Sequence, residues 1–159
     1  MSYSYQISPL KEFPQLAEPL GKAIYFQWIE MYEFQRKTER EVIDTVISRA
    51  VDDRIPCTII ANNFGELLGS VTLKLTEGTE FPSLSPWLAG VFVLPQFRGL
   101  GVGTVLVQSV EKLAKDKFGV IELFLYTSTA KGLYEKLGYT VFSKSEKDGI
   151  LVEYMKKRL

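Results

Sequence analysis

Between residues 87 and 118 the chain carries a strand, a glycine loop and a helix in direct succession, and this stretch limits the possible folds more than any other. Trp87-Leu88-Ala89-Gly90-Val91-Phe92-Val93-Leu94 is an almost continuous apolar run that suits a central strand buried on both faces. It stops at Pro95. Arg98-Gly99-Leu100-Gly101-Val102-Gly103-Thr104 follows, after which Val102, Leu106, Val110 and Leu113 mark a helix closing near Phe118-Gly119. Such a junction aims unpaired backbone N–H groups and the positive end of a helix dipole at one point, which attracts phosphate. The glycines let a ligand approach the backbone, and Arg98 can add positive charge. Spacing then narrows the ligand. A dinucleotide fingerprint begun at Gly99 needs glycine where Thr104 stands, and one begun at Gly101 needs it at Leu106. No Gly-Lys-Ser/Thr triplet completes a Walker A loop. On the glycines alone, a tight turn with no ligand is the simpler reading.

The rest of the chain supplies elements to surround this unit. Tyr3 to Ser8 alternates as a first strand stopped at Pro9. After Pro14, Leu16, Leu20, Ile24, Trp28 and Met31 put one apolar stripe on a first helix. Thr38-Glu39-Arg40-Glu41 opens a second helix with a capping box, continued by Val42, Val46 and Ala50. Cys57 to Ala61 and Leu67 to Leu75 read as antiparallel strands turning at Asn62-Asn63-Phe64-Gly65. Val120 to Tyr126 is another apolar strand, and Ala130, Leu133, Tyr134 and Leu137 form a short helix capped by Gly138. Tyr139 to Lys144 and Ile150 to Met155 make a closing hairpin that turns at Lys147-Asp148-Gly149. The order predicts a mixed α/β sheet covered by helices, in one domain spanning residues 1–159.

Composition removes several kinds of chemistry. Nineteen Lys and Arg balance nineteen Asp and Glu, so nothing suggests a nucleic-acid partner. Met1 to Gln6 lacks a targeting pattern and no apolar stretch is long enough to span a bilayer, which leads us to expect a cytoplasmic protein with no membrane partner. The absence of histidine excludes Ser-His-Asp and Cys-His hydrolysis and most transition-metal sites. No metal is expected. Cys57, the one cysteine, reads as an apolar strand residue rather than a reactive thiol.

With the glycine loop and its flanking elements in view, the chain resembles the GNAT superfamily of N-acetyltransferases. The pyrophosphate motif of that family, Arg/Gln-x-x-Gly-x-Gly/Ala, is matched by Arg98-Gly99-Leu100-Gly101-Val102-Gly103. A second motif is matched by Leu133-Tyr134-Glu135-Lys136-Leu137-Gly138-Tyr139, and Pro86-Trp87-Leu88-Ala89 is similar to one bacterial subgroup. The resemblance implies a mostly antiparallel sheet of about seven strands with helices on both faces, in the order β-α-α-β-β-β-α-β-α-β-β. It implies acetyl-CoA as acyl donor and a primary amine, small molecule or peptide, as acceptor in a ternary complex. It also implies that Arg98 to Thr104 hold the pyrophosphate. Val91, Phe92 and Val93 would meet the pantetheine arm and the thioester oxygen through their backbone. Tyr134 would be the general acid for the departing thiolate, a phenol being protonated at neutral pH. Many relatives carry Asn where Thr127 stands; its hydroxyl can bond to pantetheine or cap the helix, and Ser128 and Thr129 are equal candidates for the cap.

Other roles stay open. Gly90 is either a bulge site or a position admitting a close-packed ring such as Trp87 or Phe124. The fourth strand has no carboxylate, so a general base could come from Glu80, Glu30 or Glu33, or from a water held by Ser85 or Tyr126; none is assigned. Phe26, Trp28, Tyr32 and Phe34 are candidates to line the acceptor site, although Trp28 and Met31 also share the core stripe. Ile150 to Tyr154 is the segment that would pair in a homodimer. The competing function is an acetyl-CoA-binding sensor or partner subunit with little activity, for which the missing strand carboxylate and Thr127 are the only support.

Overall fold

The computed structural model describes residues 3–159; Met1 and Ser2, part of the stretch read for a targeting pattern, lie outside the described residues. Seven strands form one sheet: β1 Gln6–Pro9, β2 Cys57–Asn63, β3 Glu66–Lys74, β4 Trp87–Val93, β5 Glu122–Thr127, β6 Thr140–Lys147 and β7 Ile150–Arg158. Their order is β1-β2-β3-β4-β5-β7-β6, so β4 is central, as its apolar run predicts. Every neighbouring pair is antiparallel except β4 and β5, which run parallel. The helices are α1 Ala17–Gln27, α2 Ile29–Phe34, α3 Glu39–Ser48, α4 Val102–Phe118 and α5 Lys131–Lys136. Alternation along the strands divides the core between two faces. Ile59, Val71, Leu88 and Leu123 share one cluster with Leu106, Val107, Val110 and Ala114 of α4. Ile60, Leu67 and Phe92 share a second with Leu20, Ile24, Val42 and Val46 of α1 and α3, and Trp87, Phe124, Val152 and Tyr154 form a third.

Local chemistry sets the ends of these elements. Thr38 caps α3 with a complete capping box: its Oγ1 accepts from the Glu41 N–H at 3.2 Å, and the Glu41 carboxylate accepts from the Thr38 N–H at 2.7 Å. α1 lies close on α3 because Gly21 has no Cβ, an atom that would come within 2.7 Å of Ile43 Cα. The β2–β3 turn is tighter than expected. Asn62 and Asn63 join the ladder, leaving Phe64 and Gly65 to turn at φ 48° and 90°.

Three further expectations shift. β1 begins at Gln6 rather than Tyr3 and includes Pro9, whose missing N–H is tolerated on an edge strand. The long first helix breaks at Trp28 (φ −119°, ψ 37°); Trp28 and Met31 are only half-buried, although Trp28 still packs against the core beside Phe92. β4 is not buried throughout, because Ala89, Gly90 and Val91 border a cavity. No helix among the described residues is long and apolar enough to cross a membrane.

Candidate active site

β4 and β5 meet at one register position, Trp87 opposite Phe124. Trp87 is anchored there: its ring lies 5.7 Å from Phe124 and 6.4 Å from Tyr154, and its Nε1 donates to the Leu84 carbonyl at 2.7 Å. Beyond this point the strands part. The wedge opens into a cavity of about 650 Å³, with Leu88 to Val91 on one wall and Tyr126 to Ala130 on another. A bulge turns β4 at the same place. Phe92 faces Ser70 and Ala89 faces Thr72, so Gly90 and Val91 together oppose Val71. Gly90 has φ +59°, and a Cβ built on it meets nothing within 4 Å. Its glycine therefore serves the bulge, not a close-packed ring.

The glycine loop follows at the end of this strand. Gly99 and Gly101 have φ +78° and +79°, again with open space where a Cβ would stand. The Val105 N–H donates to the Gly101 carbonyl at 3.1 Å, and the amides of Val102, Gly103 and Thr104 precede the first helical bond of α4. No acidic residue stands in that first turn. A pyrophosphate thus fits the loop: donors are available, side chains are out of the way and no anion repels it. Arg98 is exposed and already engaged. Its Nε donates to the Val93 carbonyl at 2.8 Å and its Nη2 to Gln27 Oε1 at 3.0 Å, tying the loop to the ends of β4 and α1. Leu100 is also exposed, whereas Val91 and Val93 are half-buried and Phe92 is buried.

Tyr134 lies on α5 and borders the cavity. It is 7% exposed, its ring meets Tyr139 edge-on with centroids 5.8 Å apart, and burial pushes its phenol up to about 12. It therefore holds its proton at neutral pH. Thr127 Oγ1 accepts from the Ala130 N–H at 2.9 Å, so Thr127 rather than Ser128 or Thr129 caps the turn into α5.

The cavity continues between the sheet and α1–α3. Trp28 and Tyr32 line it as expected, but Phe26 and Phe34 do not; they are 60% and 64% exposed. Phe34 instead touches the β6–β7 turn, 3.4 Å from where a Gly149 Cβ would lie. Glu30, Glu33, Glu80 and Ser85 are likewise exposed and do not line the cavity, Glu80 accepting from Ser145 Oγ at 2.7 Å. Tyr126 does line it, its phenol pushed up by burial and by Glu77.

Glu77 and Arg49 are among the charged lining residues that sequence reasoning missed. Glu77 follows β3, and the loop after it folds back so that its carboxylate, only 8% exposed, pairs with Lys74. Burial pulls the Lys74 ammonium down. Arg49 ends α3, where burial pulls its guanidinium below the ordinary value. A loop glutamate and a helix-terminal arginine carry no periodic signal, and the three-residue spacing of Lys74 and Glu77 is too common to single them out. At the cavity's other border the β6–β7 turn reaches α2: Gln35 Nε2 and Lys147 Nζ both donate to Asp148 Oδ2, at 2.8 and 2.7 Å.

A parting parallel pair, a glycine loop after the first of its strands and a cavity with a protonated tyrosine in its wall are set on a mixed α/β sheet. A family model described as Acetyltransferase (GNAT) family matches residues 21–139, and the chain belongs to that family. It is 32% identical to the S-alkylcysteine N-acetyltransferase of Bacillus subtilis (strain 168) over 108 residues, 64% of this chain and 61% of that one. It is 31% identical to an N-alpha-acetyltransferase of Sulfurisphaera tokodaii over 90 residues, 50% of this chain and 54% of that one. The matches thus span less than two thirds of these curated relatives. Among solved structures, an aminoglycoside 6'-N-acetyltransferase complexed with coenzyme A superposes with a TM-score of 0.75 at 18% identity over 96% of both chains. The PaiA N-acetyltransferase of Thermoplasma acidophilum in complex with coenzyme A gives 0.66 at 20% identity, over 99% of this chain and 100% of that one. At these identities the likeness concerns the fold.

Proposed function

We propose that this chain is an acetyl-CoA-dependent N-acetyltransferase that transfers the acetyl group directly to the primary amine of a small molecule. The observation that carries the reading is the parting of β4 from β5 beside the glycine loop. It leaves β4 backbone groups without a ladder partner on one wall of a cavity, the loop reaches Gln27 in the lining through Arg98, and buried backbone groups require partners. Acetyl-CoA supplies the activated thioester. The amides of Gly99 to Thr104 bind the pyrophosphate, with Arg98 bracing their loop. The Val91, Phe92 and Val93 backbone orients the pantetheine arm, and an N–H of the bulged stretch donates to the carbonyl oxygen as charge develops there. Thr127 holds the turn that presents Tyr134.

The proton inventory closes with residues already on the cavity wall. An acceptor with a pKa of about 10 arrives as ammonium and gives one proton to Glu77, directly or through water, and thence to solvent. Its nitrogen then bonds to the acyl carbon while the carbon–sulfur bond breaks and the sulfur takes the Tyr134 proton. The second amine proton restores the phenol. One proton is released per turnover. Glu77 also supplies the carboxylate that β4 lacks, which weakens the case for a non-catalytic sensor.

Calorimetric titration with acetyl-CoA tests this reading. Wild type should bind saturably, and Gly101→Glu should bind on the order of 100-fold more weakly, because the new side chain strains a φ of +79° and puts a carboxylate beside the phosphates. A folded wild type that fails to bind acetyl-CoA would overturn the proposal. The acceptor is narrowed little by relatives, one being named for S-alkylcysteine and another fold neighbour for aminoglycosides.

A further inference from the structure

The charges of the acceptor cavity do not balance. Four cations line it, Lys37, Arg49, Lys74 and Lys147, against two carboxylates, Glu77 and Asp148, leaving an excess of two positive charges. Lys74 is paired with Glu77, and Lys147 with Asp148. Arg49 and Lys37 are left over. Lys37 is exposed, whereas Arg49 is half-buried; Glu77 is the carboxylate that acts on its charge, but among the described residues no carboxylate comes within ion-pair distance of it and no oxygen accepts a hydrogen bond from its side chain. A half-buried guanidinium with no such partner keeps its donors free for an anion that the fork can grip at two points.

Resting on the acetyltransferase reading, we propose that the acceptor is an α-amino acid with an apolar side chain, its carboxylate held by Arg49. The reaction requires an amine, and an amine that brings no negative charge meets a cavity already in excess positive charge. A zwitterion adds no net charge to that excess and meets both needs: its carboxylate pairs with Arg49, while its ammonium lies beside Glu77, which it then shares with Lys74. Leu20, Ile24, Trp28, Met31, Val42 and Val46 form the apolar part of the lining, where a hydrocarbon side chain replaces water. Polycationic acceptors are disfavoured by the same charge balance.

The test compares pairs of acceptors differing only in the carboxylate. Thiol release from acetyl-CoA is followed for the full chain with L-leucine and L-methionine, their amides, and 1,5-diaminopentane. The acids should exceed their amides in kcat/KM on the order of 100-fold, as expected for truncating one side of a desolvated, hydrogen-bonded charge pair. Arg49→Ala should erase that preference, mostly through KM, and Arg49→Lys should restore part of it, with the acetyl-CoA affinity of both variants unchanged. The acid-to-amide ratio of wild type stands as evidence even if a variant fails to fold. Equal or preferred use of the amides or the diamine would overturn the proposal and leave the acetyltransferase standing. Tight acetyl-CoA binding with no acceptor used would also overturn it, whereas no acetyl-CoA binding would remove both readings.

Discussion

Tyr134→Phe separates a chemical role from a structural one. The substitution deletes one hydroxyl and leaves the ring, so the edge-on contact with Tyr139 at 5.8 Å and the 7% exposed packing position are retained. Burial alone shifts this phenol, and no hydrogen bond to it is broken by the change. Thermal stability at neutral pH should move by less than about 1 kcal/mol, or roughly 2–4 °C in Tm. At alkaline pH the sign can be worked out. The folded phenol sits at about 12 against an ordinary 10, so the unfolded chain ionises first and wild type loses stability as pH rises from 10 to 12. Two pH units correspond to about 3 kcal/mol, and the variant should be spared that loss. Tyr126 and Tyr139, also raised chiefly by burial, keep an alkaline decline in both proteins. Catalysis should respond very differently, with kcat falling about 100- to 10,000-fold, the span of general-acid effects, while acetyl-CoA affinity stays within a few-fold. Stopped-time thiol assays, calorimetry and melts at pH 7 and 11 measure all three. Full activity with several amines would remove Tyr134 from the reaction, and a collapse of Tm at pH 7 would make it a packing residue.

Glu77→Gln keeps the side-chain shape but removes the charge opposite Lys74; kcat should drop about 100-fold with acetyl-CoA binding intact, and an unchanged kcat would exclude Glu77 as proton acceptor. Gly69→Ala should lower Tm by roughly 3–10 °C, because its Cβ would lie 2.4 Å from the Phe92 carbonyl oxygen and overpacking of this kind costs about 1–3 kcal/mol. A calorimetric scan matching wild type would show that β3 can retreat from β4.

Elements with their own periodicity or punctuation were legible before folding. The apolar run of β4, the capping box at Thr38 and the Gly119 end of α4 all fall where the sequence puts them. Features created by distant contacts were not. Trp28 continues the helical spacing of Leu20 and Ile24, yet its ring turns toward Phe92, centroids 6.1 Å apart, and the helix breaks there. The motifs pointed to residues 98–104 and Tyr134; the loop follows β4 and Tyr134 follows β5, and of these residues Tyr134 alone lines the cavity. The acceptor end is different. Phe26 and Phe34 are aromatic and close in sequence to Trp28 and Tyr32, but helix geometry turns them outward. Glu77 and Arg49 face inward only because a loop folds over β5 and α3 ends beside β2, where the Thr58 N–H donates to the Arg49 carbonyl at 3.1 Å.

The parting of the sheet has a backbone cause, and three positions share it. Trp87 fastens the first residue of β4 to β5 through Phe124, so the strands must begin together. Gly69 lets β3 approach β4 so closely that a single added carbon would strike the Phe92 carbonyl, which holds the later half of β4 on β3. Between these two anchors the bulge at Gly90 and Val91 adds one residue to β4, bending it and increasing its twist locally. A strand pinned to β5 at its start and to β3 near its end can absorb that bend only by leaving β5. The cavity is thus a consequence of strand geometry rather than of large side chains held apart. A ligand whose amides run along the freed edge of β4 would then replace the missing ladder without any rearrangement of the protein, which keeps the cost of preorganisation within the folding of the sheet.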